Sequence, residues 1–377
     1  MSQPYQFIQN EERWASRFRT EEMKYLQNMG SAKQATSGSV CDRTHLFAFH
    51  AIIKQRGYEV LPVLKAATAV EIYDHNGQIT KFINGDGQKN EGLEHQLSQT
   101  LGASLGLVWS SLQRTKERRN AQADPQQFSR PLSKRQQQMP NPDYNPAPAS
   151  SPGSASGSTS GSTSGSVTGS TGSSSTGSDQ SFAEGVKQSD LQSEDYTVRL
   201  ITSVLRHILH NAQRPNALEA LEYREKETLT LTTTASGKFV ATDDGGLRHR
   251  TRKARGVTTA NFFALVEAKK ALYKDKNGIP FFRDEVLAQI SCEAILAKIS
   301  EPDNVCGDSV VVIHAACHHV CFVEFNMSEA YGVDFRKGRT PADPLNIHMS
   351  KWFDIATRDG RLGIVKNMQG LINKSLE

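Results

Sequence analysis

Glu267 and Lys269 stand two positions apart at the end of an apolar run, Phe262-Phe263-Ala264-Leu265-Val266-Glu267-Ala268-Lys269. If the run is a buried strand, its period of two puts the acid and the base on one face, at the strand's exposed end. A carboxylate and an ammonium held together there can serve a metal ion and a reacting phosphate. The same letters also suit a helix. The stretch continues into Lys270-Ala271-Leu272-Tyr273, is rich in helix formers, and has apolar residues at 262, 265, 266, 272 and 273 that tolerate a helical stripe. The neighbouring elements have to decide.

Upstream, two alternating, β-branched runs over 229–233 and 238–242, joined by Ser236-Gly237, predict a hairpin. The hairpin leads into Asp243-Asp244-Gly245-Gly246, a pair of acids that also fits an ordinary turn. Before it, Ser193 can cap a helix whose buried stripe is Val198, Ile201, Leu205 and Ile208. Glu194 falls on the inward side of that helix, though a carboxylate there also suits the positive end of the helix dipole. A basic stretch, Arg248, His249, Arg250, Arg252, Lys253 and Arg255, leads into the central run. Such a cluster is either a solvated loop or a grip on phosphates. Downstream come a turn at Asn277-Gly278-Ile279-Pro280 and a helix carrying Val286, Ile290, Ile295 and Ile299, with Gln289 near its start. Strands over 310–313 and 320–325 and a closing helix over 352–372 complete the chain.

This succession is a helix, a strand, a strand closed by an acid, a strand with Glu-x-Lys, a helix with Gln, a strand and a helix. It resembles the PD-(D/E)XK nuclease-like superfamily, with its restriction-endonuclease-like fold, and especially the fungal members of unassigned role. The likeness covers about residues 190–375. It implies an α/β (α+β) domain with a mixed sheet flanked by helices, and it favours the strand over the helix for the central run. It puts the metal-binding acid on Asp244, the Glu-x-Lys element on Glu267-Ala268-Lys269, the helix glutamine on Gln289 and the first-helix glutamate on Glu194. Two features depart from the pattern. Asp243 stands where the motif has proline, which leaves the choice between two acids open. The stretch from Asp244 to Glu267 is long and basic where many members use a short hairpin.

The resemblance implies a nuclease, dependent on Mg²⁺ or Mn²⁺, that hydrolyses phosphodiester bonds in DNA or RNA. In it Asp244 and Glu267, with the backbone carbonyl of Ala268, hold the ion through hard oxygen ligands. Lys269 acts on the nucleophile and the phosphorane-like oxygens. Gln289 holds Lys269 or a metal-bound water, and Glu194 and Asp243 support the centre from further out. Arg248, Arg250, Arg252, Lys253 and Arg255 grip the phosphodiester backbone without reading sequence. The competing expectation is a nuclease-fold module without turnover that binds nucleic acid or a protein partner.

The rest of the chain bounds this picture. Its 377 residues leave room for two domains. Residues 1–40 are polar, with Trp14 and Phe18 predicting a weak helix that ends near Gly30. Residues 41–125 predict a small α+β module: a helix through Leu46, Phe47, Phe49, Ile52 and Ile53 up to Gly57, a hairpin turning at Asn76-Gly77, and a helix from Leu93 to Val108. Residues 126–185, rich in Pro, Ser, Gly and Thr, predict a disordered, low-complexity linker, and residues 186–377 the nuclease-like domain.

A net charge of +4 is mild, so any attraction to polyanions must come from local clusters. Five cysteines in so long a chain form no disulfide framework. No secretory leader or membrane span is read, and an intracellular protein of nucleus or cytoplasm is expected, with no membrane partner. His314, Cys317, His318, His319 and Cys321 suggest metal ligands, yet the spacing is not that of a zinc knuckle. Alternation along a strand would also send neighbouring side chains to opposite faces.

Overall fold

The computed structural model describes residues 4–29, 36–69, 71–85, 92–123, 188–234, 237–253, 256–300 and 307–376; the linker expected over 126–185 lies outside them. The helices are α1 (Glu11–Thr20), α2 (Arg43–Ala48), α3 (Gln78–Asn84), α4 (Glu94–Leu101), α5 (Ala103–Ala123), α6 (Gln188–Asn211), α7 (Asp284–Ser300), α8 (Glu329–Arg336) and α9 (Arg358–Lys374). The strands are β1 (Thr36–Ser37), β2 (Ala51–Tyr58), β3 (Glu219–Arg224), β4 (Thr228–Thr232), β5 (Lys238–Thr242), β6 (Gly245–Lys253), β7 (Gly256–Lys269), β8 (Tyr273–Lys274), β9 (Pro280–Phe281), β10 (Ser309–Ala316), β11 (His319–Asn326), β12 (Leu345–Ser350) and β13 (Phe353–Asp354).

The central run is a strand because both its faces are covered, the setting in which strands read as continuous apolar stretches. β7 lies between β6, antiparallel, and β10, parallel, in a mixed sheet ordered β2-β12-β11-β10-β7-β6-β3, with β13 added on β11. Alternate residues feed two cores. Leu265, Val310, Val312 and Val323 face a layer containing α2, α7 and α8. Val266, Val311, Ile313 and Phe322 face α3, α5, α6 and α9. Each such side chain taken from water contributes about 1.5–3 kcal/mol. α7 is apolar almost all round, from Leu287 to Ile299, because a second sheet, β1-β5-β4, covers the side that the main sheet does not.

Several expectations from local pattern give way to long-range pairing. The helix expected through residues 46–53 splits. α2 stops at Ala48, His50 turns with φ 49°, and the next residues become β2, parallel to β12. The segments expected as two domains therefore share one sheet, and the described residues on either side of the linker form one compact unit. Asn76 and Gly77 do take left-handed backbone (φ 53° and 68°), but no hairpin follows. Asp74 accepts the N–H groups of Ile79 and Thr80 and starts α3 instead.

The helix expected over 93–108 breaks at Gly102 into α4 and α5, and α1 ends at Thr20 rather than near Gly30. Its Trp14 and Phe18 are buried beside Phe47, so the N-terminal segment contributes to the core. α6 begins at Gln188, which leaves Ser193 inside the helix and not at its cap. The hairpin over 229–242 forms as β4–β5, but in the smaller sheet; in the main sheet β6 pairs with β7, and β3 lies beyond β6 at the edge. The closing helix starts at Arg358, and Phe353 belongs to β13. Among the described residues no helix is long and apolar enough to cross a membrane.

One buried histidine gives this layer a pH signature. His207 on α6 packs 5.6 Å from the Phe82 ring; its Nε2 lies 3.3 Å from the Gln78 carbonyl and its Nδ1 2.9 Å from Ser104 Oγ. Burial pushes its pKa down to about 4. Between that value and the unfolded one of about 6.5 the unfolded chain binds the extra proton, so stability is present above the window and is lost as pH falls. The melting temperature is expected to fall on acidification through this window, on the order of 2 °C per pH unit. His207→Gln should flatten that slope in pH-resolved thermal melts; an unchanged slope refutes the assignment.

Candidate active site

β7 delivers Glu267 and Lys269 to one face at its C-terminal end, the face shared with Leu265 and turned towards α7. Lys269 Nζ donates to Glu267 Oε1 at 2.5 Å and to Glu194 Oε1 of α6 at 3.2 Å. Asp244 sits at the entry to β6. Its N–H donates to the Val266 carbonyl (3.0 Å), and its Oδ2 accepts the N–H of Ala268 (2.9 Å). Carboxylate oxygens of Glu194, Asp244 and Glu267 lie within 4.8 Å of one another. From α7, Gln289 Nε2 donates to Glu267 Oε1 (2.6 Å) and Glu293 Oε1 (3.0 Å).

The two glycines after Asp244 make this approach possible. Gly245 has φ 147°, and a Cβ there would lie 2.2 Å from Tyr223 Oη. A Cβ on Gly246 would lie 2.6 Å from the Ala264 carbonyl oxygen and 2.8 Å from the Arg224 guanidinium. The contact with the Ala264 backbone cannot be relieved by moving a side chain. Gly246→Ala is expected to destabilise the chain by about 1–3 kcal/mol, as overpacking does, and to displace Asp244 from β7. Thermal melts read the first effect; wild-type stability overturns it.

Negative charge exceeds positive charge here. Four carboxyl groups (Glu194, Asp244, Glu267 and Glu293) surround one ammonium. Burial pushes the Glu267 carboxyl up to about 8; Lys269 opposes the shift, and Asp244 and Glu194 add to it. Burial also holds the Glu293 carboxyl well above its ordinary range. For Lys269, burial favours the neutral amine, but Glu267 and Glu194 more than reverse it, so the side chain stays an ammonium. Glu267 Oε2 and Glu293 Oε2 are buried without a hydrogen-bond partner among the described residues. Of the two, Glu267 Oε2 belongs to the three converging carboxylates, and an unsatisfied oxygen there fits a hard divalent cation.

The structure therefore brings together Asp244, Glu267, Lys269, Gln289 and Glu194. It arranges others differently from expectation. Asp243 turns away into a buried ion pair with Arg224, whose Nη1 lies 3.0 Å from its Oδ1. Gln289 reaches Glu267 and Glu293, where Lys269 or a water was expected, and Ala268 meets the cluster through its N–H. Arg248 pairs with Glu227 (3.1 Å) and Arg250 with Glu222 (2.9 Å), while Arg252 is exposed. Lys253 ends β6, and Arg255 lies outside the described residues.

Two members of the site escaped the sequence analysis. Glu293 carries a faint signal, since it follows Gln289 by four residues and must share its helix face. Arg224 carries none, because β3 reads as Glu-Ala-Leu-Glu-Tyr-Arg, a string of helix formers. No protein-family model and no curated protein matches the chain.

Proposed function

We propose that the chain is a nuclease-like protein of the PD-(D/E)XK kind, hydrolysing phosphodiester bonds in DNA or RNA with Mg²⁺ or Mn²⁺. The observation that carries this reading is the convergence of Asp244, Glu267 and Lys269 at one end of a mixed sheet. The succession α6, β3, β6, β7, α7, β10 supports it: a helix, two strands, a strand with Glu-x-Lys, a helix with Gln and a strand. The acid stands at the entry to the second strand, held against the third by Ala268.

Asp244, Glu267 and Glu194 are the residues that would hold the cation. When bound, such an ion lowers the pKa of its water and neutralises charge on the scissile phosphate. Lys269, fixed as an ammonium, does not take the proton. It offers its N–H donors to the phosphate oxygens that gain charge. Gln289 fixes the orientation of Glu267. Arg248, Arg250 and Arg252 lie on alternate positions of β6, where the partly exposed ion pairs of Arg248 and Arg250 can exchange for phosphates.

One observation favours a second reading, a nuclease-fold module that binds nucleic acid or a protein partner without turnover. Lys269 is engaged by Glu267 and Glu194. The test is incubation of the purified chain with DNA and with RNA, with Mg²⁺ or Mn²⁺ and then with chelator. Metal-dependent cleavage supports the enzyme; binding without cleavage under either metal supports the module.

A further inference from the structure

We propose that His318, His319 and Asp354 form a second, chemically distinct site, which takes a divalent transition-metal ion of the zinc class. Alternation along a strand would separate adjacent histidines, but only His319 is on a strand. Ala316 pairs with His319 across a two-residue turn in which Cys317 takes φ 54°, and His318 occupies that turn. The two imidazole rings consequently come together, with centroids 4.4 Å apart. β13 pairs with β11 in a register that puts Asp354 opposite His319, and the Ile355 N–H donates to the His318 carbonyl at 2.9 Å. The carboxylate is itself oriented, because Asp354 Oδ1 accepts the Ala356 N–H at 2.8 Å.

The separations are those of groups around an ion. His318 Nε2 lies 3.7 Å from Asp354 Oδ1, and His319 Nε2 lies 4.0 Å from Oδ2. Both are too long for hydrogen bonds, and they stand near the ~3.4 Å between neighbouring ligands on a tetrahedral ion with bonds of about 2.1 Å. The two histidine side chains are only 8% and 12% exposed, so their rings are held by packing. Imidazole nitrogens select zinc, copper, iron or nickel, where the all-carboxylate cluster at the end of β7 suits magnesium or manganese.

Three protein ligands leave a coordination position open. His319 and Asp354 both line a cavity of about 640 Å³, walled also by Cys321, Phe282 and Trp352, and none of the carboxylates around Lys269 lines it.

The test uses the full chain carrying Asp244→Asn and Glu267→Gln, so that the carboxylate cluster does not compete. After chelator treatment it is dialysed against Zn²⁺ in excess Mg²⁺ and its metal content measured; Co²⁺ is titrated in parallel by visible absorption. One equivalent of Zn²⁺ and a cobalt ligand-field band are expected. His318→Gln and His319→Gln should each weaken binding by more than about 100-fold, since even outer partners of a metal cost about 10–100-fold. Asp354→Asn is the third variant. Should it fail to give a cooperative melt, because Asp354 also holds Ala356, the two histidine variants decide. Failure of the parent to bind either metal overturns the proposal, as does binding that survives both histidine changes. The outcome is independent of whether the chain cleaves nucleic acid.

Discussion

Glu267→Gln is expected to lower metal-dependent phosphodiester cleavage by at least about 1,000-fold while the chain stays folded. A bound divalent cation supplies several kcal/mol of charge stabilisation, and about 4 kcal/mol corresponds to about 1,000-fold in rate. The amide keeps the shape of the carboxyl group and one acceptor for Lys269 and Gln289, but carries no charge for an ion. Lys269→Met should cost about 100- to 1,000-fold, the usual loss for one donor aimed at developing charge. Glu293→Gln is the informative contrast. Glu293 is not among the three carboxylates whose oxygens converge, and burial favours its protonated form, so the uncharged amide should leave activity near wild type. Single-turnover assays with labelled DNA and RNA, beside circular dichroism of each variant, read all three. Cleavage that survives Glu267→Gln, or that persists in chelator, sinks the metal-dependent mechanism.

That a mutational plan can be drawn from these positions reflects what local pattern encodes. β7, α7, β10 and β11 are apolar runs buried by their immediate neighbours, so their periodicity is visible within about ten residues. The end of β7 then fixes Glu267 and Lys269 on one face, whatever lies elsewhere. Asp244 and Glu194 were legible only through the order of the elements, because nothing local says that β6 starts at Gly245. The opposite case is β2. Residues 51–58 pair with 345–350, nearly 300 positions away, and local spacing mimics the end of a helix. β6 hid for another reason. Its arginines, Arg248, Arg250 and Arg252, alternate with the buried Leu247 and His249, and their charge masks that buried face. For β2, then, the partner that decided the structure was distant in sequence.

The adjacent acids Asp243 and Asp244 show how such a distant partner settles a choice. Asp243 is the more buried of the two, and it is already satisfied: Arg224 grips both carboxylate oxygens, and the N–H groups of Glu227 and Gly245 donate to Oδ1 at 3.1 Å each. Burial still raises its pKa above the ordinary carboxylate value, against the pull of Arg224. Asp243 is thus a folding residue that orients Asp244, and removing its partner strands a buried charge. Arg224→Met is expected to cost about 3–5 kcal/mol, the usual penalty for breaking one side of a buried pair. That is a large part of the ~5–15 kcal/mol that holds a typical domain together. Adding Asp243→Asn should recover most of the loss, since the amide oxygen still accepts the two N–H groups without a charge. The single variant's deficit should shrink at low pH. An acid whose folded pKa lies above its unfolded value holds the extra proton in the folded state, so stability falls as pH rises through that window and returns below it. Denaturant titrations at pH 4 and pH 8 measure both effects. If Arg224→Met is as stable as wild type, or the second substitution restores nothing, Asp243 is not the buried anion that this pairing requires, and Asp244 loses the anchor beside it.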